Sequence, residues 1–203
     1  MISVVSYGVG NLGSIFNMLR KLGVAAAAAS TPDDISRAER IILPGIGAYD
    51  HGMESLSEHG LVEPLRQRVL QDRVPLLGIC LGMQLLGKGS EEGNRSGLGL
   101  IDADCVRFNA NGSQTLKIPH MGWKTLAFRQ PSPLTDRLDS ESRFYFVHSY
   151  HVVCHSPGDV LATANYGVEF TAMVHRENIW GAQFHPEKSH RFGMTLLENF
   201  ARV

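Results

Sequence analysis

The first eighty positions alternate between two rhythms of apolar and polar residues. Ile2-Ser3-Val4-Val5-Ser6 is an apolar run of strand length, and Leu12, Ile15, Phe16, Leu19 and Leu22 then recur at the spacing of one helix face. Ile41-Ile42-Leu43 repeats the strand pattern and residues 61–70 the helical one. Val74-Pro75-Leu76-Leu77-Gly78-Ile79 reads as a buried strand that runs into an apolar helix at Leu81. Residues 25–29 are all alanine, helix-prone by propensity but standing where a second strand belongs. From Asp102 the pattern turns β-rich, with strands predicted over 144–147, 170–174 and 178–184, before a closing helix marked by Phe192, Leu196 and Phe200. The expected fold is α/β and three-layered: a mainly parallel sheet flanked by helices, with additional antiparallel strands late in the chain. No linker, repeat or low-complexity tract divides residues 1–203, so a single domain is expected.

Composition narrows the class. With 203 residues and 43% apolar content, the chain can bury a core without disulfide staples. A formal charge of −1 leaves no electrostatic footprint for nucleic acid or anionic lipid. No apolar run is long enough to span a bilayer, and Met1-Ile2-Ser3 begins no signal pattern. Three cysteines, an odd number, fit a reducing cytoplasm.

Cys80 stands between the strand ending at Ile79 and the helix opening at Leu81, in the pattern Gly78-Ile79-Cys80-Leu81-Gly82. This is a nucleophile elbow written with Cys: flanking glycines permit a turn sharp enough to present the side chain at the top of a sheet. Unpaired N–H groups at the helix start favour thiolate over thiol. Cys105 and Cys154 lie in β-like apolar segments without such glycines and read as core residues.

A base for that thiol stands a hundred residues on, in Phe184-His185-Pro186-Glu187. In extended chain, residues two apart point the same way, so Glu187 can orient one ring nitrogen of His185 while the other faces a nucleophile. A thiol, an imidazole and a carboxylate in this order are the equipment of acyl transfer. The oxyanion needs donors: the Leu81 N–H by elbow geometry, and a backbone N–H in Gly45-Ile46-Gly47, a loop that brings bare main chain close to a ligand.

Gly-Ile-Cys-Leu-Gly-Met-Gln at 78–84 and Phe-His-Pro-Glu at 184–187 are similar to the two signatures of class I (triad-type) glutamine amidotransferases. Pro44-Gly45-Ile46-Gly47-Ala48-Tyr49, Pro119-His120-Met121-Gly122-Trp123, Phe146-Val147-His148-Ser149-Tyr150 and Glu187-Lys188-Ser189 extend the likeness over essentially the whole chain. They resemble the glutaminase subunits of imidazole glycerol phosphate synthase, the HisH type. The resemblance implies a flavodoxin-like sheet and cleavage of glutamine through a Cys80 thioester. It makes Gln84 a substrate contact, and Ser149 and Tyr150 main-chain contacts to the substrate α-carboxylate. It also implies a HisF-like (β/α)8-barrel cyclase as heterodimer partner, with Asn11, Trp123 and Lys188 near the interface or gate. Lys124 departs from the pattern, which usually has Asn there. That leaves room for a paralogue feeding ammonia to a surface-polysaccharide amidotransferase, whose tail resembles Ser189-His190-Arg191-Phe192-Gly193-Met194. A Cys-elbow protease or deglycase and a non-catalytic interaction subunit are the alternatives from other classes.

Two patterns suggest cofactors without sustaining them. Gly8-Val9-Gly10-Asn11-Leu12-Gly13 matches a dinucleotide fingerprint, but the second strand runs into Ser30-Thr31-Pro32 with no acid at its end to hold a ribose. His148, His151, Cys154 and His155 lie close together, yet strand alternation sends His148 and His151 to opposite faces. No cofactor and no metal is expected, and the remaining histidines besides His185 read as unassigned or surface.

Overall fold

The computed structural model describes residues 1–109 and 116–203. The chain runs β1 (Ile2–Val5), α1 (Leu12–Lys21), β2 (Ala26–Ala29), α2 (Pro32–Ser36), β3 (Ile41–Leu43), α3 (Tyr49–Glu58), α4 (Val62–Leu70), β4 (Leu76–Ile79) and α5 (Leu81–Leu85). It continues through β5 (Gly89–Ser90), β6 (Ala103–Arg107), β7 (His120–Thr125), β8 (Ala127–Phe128), β9 (Arg143–His148) and β10 (Tyr150–Cys154). The last elements are β11 (Val160–Tyr166), β12 (Val168–Arg176), β13 (Ile179–Ala182) and α6 (His190–Arg202).

Five strands in the order β2-β1-β3-β4-β13 are parallel, and β12, β10 and β6 extend the sheet antiparallel. Parallel strands covered on both faces must be apolar throughout, and β1, β3, β4 and β13 are buried at every residue. Alternation then sorts their side chains. Val4, Ile42, Leu77 and Trp180 pack toward α1 and α6 with Ile15, Leu19, Leu196 and Phe200. Val5, Ile41, Leu43, Leu76 and Ile179 face α2, α3 and α4 with Ile35, Leu56, Leu65 and Val69. Each such side chain contributes about 1.5–3 kcal/mol relative to exposure, which is what holds three layers in one register.

The alanines at 26–29 form an edge strand, paired Ile2↔Ala26 through Val5↔Ala29; tertiary pairing overrides their helix propensity. The strand predicted over 144–147 exists, but it belongs to a separate two-stranded sheet with β7. There Phe144 and Phe146 turn inward against Phe184, with the Phe144 and Phe184 rings 4.1 Å apart. This packing brings β9 beside the end of β13.

Candidate active site

Cys80 sits at the carboxyl end of β4, with φ 53° and ψ −111°, a backbone conformation that an L-residue adopts only when its surroundings enforce it. The glycines around it act by contact rather than by positive φ. A Cβ on Gly82 would lie 1.9 Å from the Leu43 carbonyl oxygen, and one on Gly78 would lie 2.8 Å from the Gly82 carbonyl oxygen. The turn is thus pressed against the exit of β3, and the Cys80 N–H donates to the Ala182 carbonyl at 2.7 Å, tying it to β13.

β13 carries the base. Three residues beyond Ala182, His185 donates its backbone N–H to the Tyr145 carbonyl at 2.9 Å, and its own carbonyl accepts from Ser189 Oγ at 2.6 Å. His185 Nδ1 meets Glu187 Oε1 at 2.7 Å with both side chains 3% exposed. Glu187 reaches it from a 3₁₀ turn, Pro186–Lys188, rather than from extended chain as the sequence predicts. The other ring nitrogen is left for Cys80. Burial alone would push the imidazolium down; hydrogen bonds to the Cys80 sulfur and to Glu187, and the charges behind them, outweigh it and raise His185 to about 10.

These groups open on a cleft of about 390 Å³, within the range of small-molecule sites. Ile46, Gly47, Leu81, Gln84, Ser149 and Tyr150, all singled out from sequence, line it together with Cys80 and His185. Gly47 has φ +92°, open only to glycine at low cost. Gly45 does not reach the cleft wall. It lies beneath the elbow, where a Cβ would come within 2.8 Å of Leu81 Cβ and 2.9 Å of Gly82 N. The Gly45 position therefore serves close packing, and Ile46-Gly47 present the main chain.

The profile of the family "Glutamine amidotransferase class-I" matches residues 3–203. The chain belongs to the class I glutamine amidotransferases. Imidazole glycerol phosphate synthase subunit HisH 2 of Methanococcus maripaludis is 51% identical over 202 residues, covering 100% of this chain and 99% of that one. The protein of the same name from Pseudomonas aeruginosa is 49% identical over 203 residues, covering 100% of both. Among solved structures, a glutamine amidotransferase superposes with a TM-score of 0.71 at 22% identity, covering 100% of this chain and 99% of that one. PurLQS of Thermotoga maritima gives 0.73 at 18% identity, covering 99% and 97%. These two likenesses bear on the fold.

For a class I glutamine amidotransferase, three residues missed from sequence matter. Glu92 is the one carboxylate lining the cleft among the described residues; it also accepts from the Tyr49 N–H at 2.9 Å. Nothing in its loop signals this role. Gln183 is fully buried with Nε2 3.8 Å from Cys80 Sγ. The signal was a single amide inside an apolar strand, a group that must find partners when buried. His148, set aside as part of a false metal cluster, lines the cleft.

The argument that separated His148 from His151 fails: the strand breaks at Ser149, and both rings pack on Phe108, at centroid distances of 5.1 and 4.6 Å. His120 is wholly buried rather than on the surface, its Nδ1 3.1 Å from His148 Nε2. Burial pushes His120 down to about 4 and His148 to about 3. The other thiols are quiet: burial, then nearby carboxylates, push Cys105 up and Cys154 up to about 12. In the dinucleotide-like loop, Gly10 packs on the Pro44 ring, and Asp34 closes a capping box with Thr31.

The remaining expected residues fall on one side of the fold. Trp123 is 43% exposed and stacks on His190, and Lys188 lies over the Tyr145 ring, which also contacts Trp123. Asn11 caps α1, accepting from the Ser14 N–H, and α1 packs against the 186–188 turn. Lys124 alternates to the opposite face of β7, its ammonium over the Tyr166 ring that stacks on His120. No helix among the described residues is long and apolar enough to cross a membrane.

Proposed function

We propose that the chain is the glutaminase subunit of an imidazole glycerol phosphate synthase, hydrolysing glutamine at Cys80 and passing ammonia to a partner. The observation that carries this reading is that Cys80 and His185 meet at a cleft of small-molecule size, with Glu187 behind the imidazole. Full-length identity to relatives named as HisH subunits supports the pathway.

The Cys80 thiolate attacks the side-chain amide carbon, and the oxyanion develops toward the Leu81 N–H and the main chain at Ile46-Gly47. The His185 imidazolium protonates the departing nitrogen, ammonia leaves, and the thioester remains. His185, now neutral, takes a proton from water as it adds to the thioester; glutamate departs and the thiolate returns. Glu187 fixes the ring and stabilises its charge. Glu92 faces the substrate α-ammonium, and the main chain at Ser149 and Tyr150 faces its α-carboxylate. Gln84 spends both its amide hydrogens on the Tyr150 carbonyl and Gln183, so it meets substrate through its oxygen.

Ammonia released to water is protonated and diluted, so the product has use only if handed over directly. The surface bearing Asn11, Trp123, Lys188 and the 61% exposed Met121 is where a HisF-like (β/α)8-barrel cyclase docks to form a heterodimer. Three free cysteines support a reducing, cytoplasmic setting. A second reading, an ammonia-supplying paralogue for an amino-sugar amidotransferase, is favoured by Lys124.

Cys80→Ala protein should be assayed with its barrel partner. Product from glutamine vanishes while product from ammonium salt persists; loss of both rejects the division of labour. Running the histidine-pathway ribonucleotide against an amino-sugar acceptor separates the two readings.

A further inference from the structure

We propose that Gln183 donates a hydrogen bond to the nucleophilic sulfur and is oriented for that role by the Tyr150 carbonyl acting through Gln84. This rests on the reading of Cys80 as nucleophile, and it adds a residue outside the triad that touches the reacting atom.

The two ends of a side-chain amide look alike, and orientation follows from partners. Here the partners leave one solution. The Tyr150 carbonyl can only accept, so the Gln84 atom 3.1 Å from it is the NH₂ group. The second N–H of that group points to Gln183 at 3.0 Å, which makes the Gln183 atom there the carbonyl oxygen. The NH₂ of Gln183 is therefore the end that lies 3.8 Å from Cys80 Sγ, a donor distance for sulfur. Both amides are buried, Gln183 completely and Gln84 to 5% exposure. An amide held away from water is costly unless satisfied, and an apolar residue of the same size would fill the space more cheaply.

The anchor is itself locked. The Tyr150 carbonyl also accepts from His148 Nδ1 at 2.8 Å, so His148 Nε2 is left to accept from His120 Nδ1 at 3.1 Å. Moving that carbonyl would break contacts to two buried side chains at once. Meanwhile α5 is only five residues long, Leu81–Leu85, so its dipole is a small source of positive potential. The side-chain amide is the more specific partner for a thiolate. Because Tyr150 also lines the cleft, one residue borders the substrate and, through its carbonyl, sets the donor at the sulfur.

The experiment compares wild type with Q183M and Q183L, two apolar residues of similar bulk and different shape. Alkylation of Cys80 by iodoacetamide, followed on the Cys80 peptide by mass spectrometry, is measured beside glutaminase kcat and KM of the complex. Both variants should slow alkylation at pH 7 by about tenfold and lower kcat at least as much, with KM within about threefold. That is the lower end for one hydrogen bond to a charged atom, once the higher intrinsic nucleophilicity of a less stabilised thiolate is set against it. If Gln183 only fills space, Q183M retains both rates within about twofold and the proposal falls. A wild-type complex that turns over no glutamine would instead sink the glutaminase reading, and the alkylation rates would still decide the donor.

Discussion

Gly82→Ala isolates what the elbow contact does. The added methyl would sit 1.9 Å from the Leu43 carbonyl oxygen, whereas carbon and oxygen come no nearer than roughly 3.3 Å in ordinary contact. The two backbones must therefore part by about 1.4 Å. Leu43 is clamped in the sheet between β1 and β4, so the movement falls on the elbow and on the loop that follows Leu43 into Ile46 and Gly47. Misplacement of about 1 Å in an active site costs on the order of a hundredfold, and one lost oxyanion donor costs a similar factor or more. We expect kcat for glutamine hydrolysis to fall by about a hundredfold. Stability should change little by comparison, since overpacking costs about 1–3 kcal/mol while replacing a helical glycine returns about 0.5–1. A variant with kcat within fivefold of wild type would show that the loop and elbow are not mechanically joined.

His185 should titrate near 10 in wild type by NMR and fall well below that in Cys80→Ala, where burial is left opposed by Glu187 alone; identical titrations would refute the sulfur's part. Because its folded value lies above 6.5, the proton on His185 stabilises the fold fully below pH 6.5 and that contribution fades as pH rises toward 10. Glu92→Gln should raise KM for glutamine by about tenfold with little change in kcat, since one charge-assisted contact is lost; an unchanged KM would remove Glu92 from the substrate site. Thr31→Ala opens the capping box at α2 and should cost about 1 kcal/mol in denaturant unfolding while leaving glutaminase activity intact.

The elements legible in the sequence were those whose causes are local. Strand and helix rhythms located β1, α1, β4 and α6, and the glycines at 78 and 82 announced the elbow. Gly45 was misread because a glycine can serve a ligand or a neighbouring backbone, and only the third dimension shows Leu81 against it. Glu92 was invisible because its partner, the Tyr49 N–H, stands 43 residues earlier in the chain. The histidines were misjudged for a subtler reason: alternation is a property of unbroken strands, and a break at Ser149 resets which way His151 points. Gln183 could have been found as the lone amide at the end of an apolar run, where burial demands a partner.

The 2.7 Å bond from the Cys80 N–H to the Ala182 carbonyl has a consequence for the order in which competence is acquired. The thiol is made a hundred residues before the imidazole and before the Ala182 carbonyl that holds it. Slotting β13 beside β4 is one event with switching on the enzyme, and a slip by one position would turn the base to the far side of the sheet. A chain still emerging from the ribosome is therefore chemically silent, and glutamine is spared until the last parallel strand has found its place.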